Sequence, residues 1–294
     1  MTAPLTQDAP ASAVETVDFA APDAAQAFVR SIHETGFAVL RNHPLPQVLL
    51  DRLDQDWRAF FAGDEKFDYR FEGEADDAQF GYFGLDVSER AVGHEHKDIK
   101  EFFHAGPGGP MPEALEADVA EYRQRALELA RTLVGWFDAA LDDDDKYDPA
   151  LKLADVLSDP VSVFRILHYP PLTGDEPEGS LRAAAHEDIN VITLLPVAEA
   201  PGLQVRTRGG RWLDLHGRRG ELIINTGDML QEFTRGYLPS TTHRVVNPKA
   251  TGDNRSRISM PFFIAPETAT RLSDRYTAGK YLAERLTDIS GRDS

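Results

Sequence analysis

The run AAAHEDINVITLLP, residues 183–196, decides how this chain is read. Its aliphatic and β-branched texture is that of a buried strand, yet a histidine and two acids sit in its middle. Burying a charge without a partner costs several kcal/mol, about as much as a whole domain has to spare. Something must compensate it. Residues two apart on a strand share a face, so His186 and Asp188 point one way and Glu187 the other. A third converging group has to come from a distant segment, and His243, in the later β run STTHRVVNP (residues 240–248), is the candidate.

Two histidines and one carboxylate form a facial triad, which leaves about three positions open on a six-coordinate iron(II). Taken alone, H-x-D is explained as well by satisfied polar residues at a turn. The balance moves with RSRISMPFF (residues 255–263), where Arg257 and Ser259 again share a strand face. A guanidinium beside a hydroxyl suits the grip of a carboxylate through paired hydrogen bonds.

Working outward, the N-terminal third reads as helices. Ala24, Phe28 and Ile32 recur at helical spacing up to Gly36, and Leu49, Leu53, Trp57 and Phe60 do so up to Gly63, with GFAVLRNH as a short strand between them. A longer helix carries Leu115, Val119, Tyr122, Ala126, Leu129 and Leu133 on one face. From about Val161, short strand-like runs (VSVFRILHYP, NVITLLP, GLQVRTRGGRWLDL, ELIINTGDML, RISMPFFIA) alternate with turn residues. That spacing predicts a sandwich or barrel rather than a parallel βαβ sheet. DRYTAGKYLAERLTDI returns to helix, and the Ala/Pro-rich first two dozen residues are expected to fray.

Composition bounds the partners. The 294 residues carry a net charge of −18, which opposes binding to nucleic acid or an anionic membrane. No cysteine is present, so disulfides, thiolate metal sites and a cysteine nucleophile are excluded, and any metal must use histidine and carboxylate. The opening segment matches neither a signal peptide nor a membrane anchor, which makes cytoplasm the expected location.

In order along the chain, TGFAVLRNHPLP, FFAGDEK, FGYFG, DIKEFFH, RILHYPP, AAAHEDINVITLLP, GLQVRTRGGRWLDL, ELIINTGDMLQEFTRGYLPSTTHRVVNP and RSRISMPFF resemble the iron(II)/2-oxoglutarate-dependent dioxygenases of the isopenicillin N synthase-like group. The resemblance implies a mainly-β fold: a double-stranded β-helix (jelly-roll, cupin-like) with N- and C-terminal helices packed on it. It divides the chain into an N-terminal helical region, 1–150, and a catalytic region, 151–294, within one integrated unit. It implies that His186, Asp188 and His243 hold Fe(II), that Arg257 and Ser259 bind the distal carboxylate of the co-substrate 2-oxoglutarate, and that Tyr169 also contacts it. Many plant members carry Asn two residues before that tyrosine; here Leu167 stands there and is left out of the site. The implied activity consumes O2 and 2-oxoglutarate, yields succinate and CO2, and hydroxylates, desaturates or cyclises a small molecule; the carboxylate of Asp188 disfavours halogenation.

Two rivals share these residues: a same-fold iron oxidase that uses no 2-oxoglutarate (isopenicillin N synthase or ascorbate-dependent type), and a non-catalytic small-molecule-binding protein. Substrate identity and oligomeric state are not written in the sequence. Other residues have plainer readings. His94 and His96 lack an acid partner and are read as lining a substrate entrance, Arg165 as sharing a face with Tyr169, Tyr82 and Phe83 as core, and Asp228 as fixing a turn. His33, His43, His104, His168 and His216 receive no role.

Overall fold

The computed structural model describes residues 13–73, 79–87, 98–177, 179–198, 200–248 and 254–290. The helices are α1 (Ala24–Thr35), α2 (Gln47–Ala62), α3 (Glu113–Ala140), the short α4 (Leu153–Val156) and α5 (Asp228–Phe233), and α6 (Ala278–Ser290). The strands are β1 (Thr16–Asp18), β2 (Phe37–Arg41), β3 (Gly81–Phe83), β4 (Glu101–Ala105), β5 (Val163–Tyr169), β6 (Ala183–His186), β7 (Ile192–Pro196), β8 (Leu203–Arg206), β9 (Trp212–Asp214), β10 (Leu222–Thr226), β11 (His243–Val245), β12 (Arg257–Ser259) and β13 (Phe262–Ile264).

These strands form two facing sheets, the expected double-stranded β-helix. A nine-stranded sheet runs β1-β2-β10-β7-β13-β5-β4-β3, with β12 paired beside β13 on β5, and a four-stranded sheet runs β6-β11-β8-β9. Strand parity divides the apolar residues between two cores. On β2, Phe37 and Val39 face the space between the sheets while Ala38 and Leu40 face the helices; on β10, Ile223 and Ile224 divide in the same way. The helical layer fixes the outer face of the large sheet. Tyr122 of α3 packs on Phe164 at 4.6 Å between ring centroids, and Phe137 stacks on Phe28 of α1 at 5.3 Å.

The chain enters the large sheet earlier than the composition suggests. The segment expected to fray includes β1, which pairs parallel with β2 and buries Val17. Backbone pairing and one buried valine outweigh a loop-like composition. Between helix and sheet, Gly36 ends α1 at φ 72°, where a Cβ would meet Thr241 Oγ1 at 2.3 Å. That left-handed turn lets β2 start at once. In the small sheet His243 stands opposite His186 and Val245 opposite Ala183, so β6 carries one residue more than β11 over the same stretch, a bulge beside the two histidines.

Candidate active site

His186 ends β6 and His243 begins β11, directly across the ladder from it. Asp188 is not on the strand as the sequence parity suggests. The strand stops at His186 and Asp188 lies in the loop behind it, its carboxylate turned back toward both rings. Oδ1 lies 3.7 Å from His243 Nε2 and 4.0 Å from His186 Nε2, and three ligand atoms, one from each residue, lie within 4.8 Å of one another. Glu187 faces away and accepts a hydrogen bond from Thr242 Oγ1 at 2.7 Å.

Each donor atom is oriented from behind. Asp188 Oδ2 accepts hydrogen bonds from Thr193 Oγ1 at 2.5 Å and Asn225 Nδ2 at 2.7 Å, which leaves Oδ1 toward the rings. His186 Nδ1 contacts the carbonyl of Ala184 at 2.8 Å and His243 Nδ1 that of Thr241 at 3.1 Å. A carbonyl only accepts, so both Nδ1 atoms carry a proton, and Nε2 is the atom of each ring left to ligate. Burial and the neighbouring His243 ring lower the His186 pKa to about 4, so the ring, 42 % of whose side chain is exposed, is neutral and competent to ligate near pH 7. Burial opposes ionisation of Asp188, but the two rings and the two hydrogen bonds outweigh it and hold its pKa below the ordinary carboxylate value. Two imidazoles and one carboxylate fit iron(II).

The loop carrying Asp188 is clamped from below. Asp228 N–H at the start of α5 donates to Asp188 O at 2.7 Å, and a Cβ on Gly227 would meet Asn190 O at 2.3 Å. Asp228 does more than fix a turn, because its buried carboxylate accepts from Arg285 at 2.8 Å and Tyr281 at 3.2 Å, both on α6.

On the large sheet, Arg257 and Tyr169 are register partners on β12 and β5, with Ser259 opposite Leu167 on the same face. All four are buried. Arg257 Nη1 donates to the carbonyls of Ala200 and, at 2.9 Å, Pro201, while its Nε has no hydrogen-bond partner. Burial raises the pKa of the Tyr169 phenol, keeping it a neutral donor. The residues expected at a metal and those expected at a carboxylate thus lie in one barrel.

The remaining candidates divide. Arg165 does share the face of Tyr169; its Nε donates to His104 Nε2 at 2.6 Å, and its guanidinium lies 4.8 Å from the Phe102 ring and 5.5 Å from that of Phe263. Tyr82 is core and donates to Glu101. His94 and His96 lie outside the described residues. Sequence reading missed Thr193 and Asn225, whose only signal is a polar residue on the inner face of a largely apolar strand. It also missed Arg182, which looks like any cation before a strand.

Comparison with known proteins gives two family matches: 2OG-Fe(II) oxygenase superfamily over residues 160–266, and non-haem dioxygenase in morphine synthesis N-terminal over residues 12–126. A crystal structure of a putative oxygenase from Shewanella oneidensis is 44 % identical, with a TM-score of 0.82 over 94 % of this chain and 98 % of that one. A putative 2OG-Fe(II) oxygenase family protein from Caulobacter crescentus is 32 % identical, with a TM-score of 0.75 over 95 % and 99 %. A 2-oxoglutarate-dependent dioxygenase, citB, of Monascus ruber is 30 % identical over 62 % of this chain; the match spans 57 % of that protein's length.

Proposed function

Since the chain belongs to the 2OG-Fe(II) oxygenase superfamily, we propose that it is an iron(II)- and 2-oxoglutarate-dependent dioxygenase acting on a small molecule, with His186, Asp188 and His243 as iron ligands and Tyr169, Arg257 and Ser259 as the co-substrate site. The carrying observation is the pair of Nε2 atoms facing Asp188 Oδ1 while every other polar atom of those three side chains named above is tied back. When bound, Fe(II) with 2-oxoglutarate and O2 supplies the oxidising power, releasing succinate and CO2.

The protein's contribution is orientation and exclusion of water. Thr193 and Asn225 keep Asp188 to one donor oxygen, and the carbonyls of Ala184 and Thr241 set both imidazole tautomers. Arg257 and Ser259 hold the distal carboxylate, which fixes the reach of the 2-oxo end toward the histidines. Leu167, Phe37, Phe102 and Val205 line the space between the sheets and keep it dry. We place the protein in the cytoplasm, where reduced iron is at hand; among the described residues no helix is long and apolar enough to cross a membrane.

Anaerobic titration of the iron(II) protein with 2-oxoglutarate, following the visible charge-transfer band of the chelate, tests the reading. The parent should saturate, and Arg257→Leu should bind iron equally but lose about 2 to 5 kcal/mol of co-substrate affinity, roughly thirty- to several-thousand-fold. A parent that binds iron yet shows no band would favour the 2-oxoglutarate-independent oxidase.

A further inference from the structure

Arg182 directly precedes β6 and is 2 % exposed, which places it among the largest fully buried side chains. Its guanidinium lies 5.9 Å from the centre of the Tyr169 ring, on the residue that is the register partner of Arg257. Nη2 donates to the carbonyl of Arg255 at 3.0 Å, two residues before Arg257. Nε is buried with no hydrogen-bond partner, as is Nε of Arg257. Among the described residues no carboxylate pairs with either arginine; the charged groups there that act on Arg257 are Tyr169 and Arg182, and on Arg182 Tyr169.

Two like charges buried near one another, each with an unused N–H, are costly without a counter-ion. Elsewhere in the core Lys100 is paired with Asp98 at 2.9 Å and Lys66 with Glu101 at 3.1 Å, whereas the acceptors of Arg182 and Arg257 among the described residues are backbone carbonyls alone. The group that resolves such an arrangement is an anion small enough to enter between the sheets. Resting on the co-substrate reading above, we propose that Arg182 is a second guanidinium of the carboxylate subsite, closing on the distal carboxylate from the β6 side while Arg257 closes from the β12 side, and that it makes the site selective for five-carbon 2-oxo dicarboxylates over 2-oxo monoacids.

The sign of the stability effect separates this role from a structural one. A binding arginine without a counter-ion destabilises the empty protein, so removing it leaves the ligand-free protein as stable or more so. A structural plug would do the reverse. The experiment measures iron content, ligand-free thermal midpoint, and anaerobic binding of two acids of equal length, 2-oxoglutarate and 2-oxopentanoate, in parent, Arg182→Met and Arg182→Lys. Arg182→Met should bind iron normally, keep or raise its midpoint, lose about ten- to a hundred-fold in 2-oxoglutarate affinity, and leave 2-oxopentanoate within about two-fold. Arg182→Lys should recover part of the loss, since it keeps charge without the planar fork. Unchanged 2-oxoglutarate affinity in Arg182→Met, or equal losses for both acids, overturns the proposal. If Arg182→Met does not fold, Arg182→Lys decides: loss confined to the dicarboxylate supports the proposal, and equal or no loss overturns it. Failure of the parent itself to bind 2-oxoglutarate would instead overturn the co-substrate reading.

Discussion

His168 and Tyr169 are neighbours on β5 and point to opposite faces of the sheet, and the two charged clusters they join are built on opposite rules. On the helix side, His168 Nδ1 lies 2.6 Å from buried Glu101, which also accepts from Lys66 Nζ at 3.1 Å and from the Tyr82 hydroxyl. Phe61 stacks on the His168 ring at 5.2 Å and seals it. Between the sheets, Tyr169 meets two arginines that have no acid partner among the described residues. The first cluster is complete as folded; the second, on the reading proposed above, is completed by the carboxylate of the co-substrate. Buried charge that stabilises a fold and buried charge that awaits a ligand are told apart by counting partners rather than by depth.

Three measurements bear on that contrast. The largest effect is expected from Asp188→Ala. It removes the only carboxylate of the triad and leaves Thr193 and Asn225 without an acceptor, so iron binding and turnover should both vanish while the far-ultraviolet spectrum of the fold persists. Metal analysis after anaerobic reconstitution checks it, and stoichiometric iron in the variant would remove Asp188 from the ligand set.

Glu101→Gln should act on stability alone. It leaves Lys66 with a neutral partner in a buried setting, costing about 2 to 3 kcal/mol, with 2-oxoglutarate affinity unchanged. Burial pushes the Glu101 carboxyl up, but the hydrogen bonds from His168, Tyr82 and Lys66 outweigh it, so its folded pKa lies below the ordinary 4.5. A depressed folded pKa contributes stability that is complete above the unfolded pKa and disappears as pH falls through the folded value. The acid side of the parent's thermal midpoint profile, below about pH 4.5, should therefore be steeper than that of Glu101→Gln. Equal slopes would break the contrast between the two faces, as would a lost co-substrate affinity.

The smallest effect belongs to Glu187→Gln. Its carboxylate faces away from both histidines and meets only an exposed threonine hydroxyl, so iron content and turnover should stay within about two-fold of the parent and stability within about 0.5 kcal/mol. A large loss would mean that the loop behind β6 rotates in the working enzyme.

The sequence carried the triad because two of its residues are two apart and the third falls on a β run of matching texture, even though the geometry came about differently, through a loop rather than strand parity. Helix faces were legible for the same reason, as Leu49, Leu53 and Trp57 recur at a spacing only a helix satisfies. What stayed hidden depends on contacts far apart in the chain. Nothing local marks Thr193 or Asn225 as supports for Asp188, or Arg182 as a neighbour of Tyr169. The pairing of β1 with β2 is equally non-local, and Asp228 reveals itself as an anchor for α6 only once Arg285 and Tyr281 lie against it.

The cross-ladder placement of His186 and His243 has a bearing on folding accuracy. Opposite a run of three alanines, the side chains of β11 have little to grip, and strands of small residues hold their alignment weakly. Sliding β11 by a single residue along β6 would turn one imidazole out of the barrel and separate it from Asp188. With the triad holding iron as proposed, only the correctly aligned ladder would take up the ion, and an ion that binds would lower the free energy of that alignment alone, by RT ln(1 + [Fe]/Kd). The metal would then act as a proofreader of strand alignment, rewarding the molecules whose small sheet has zipped true.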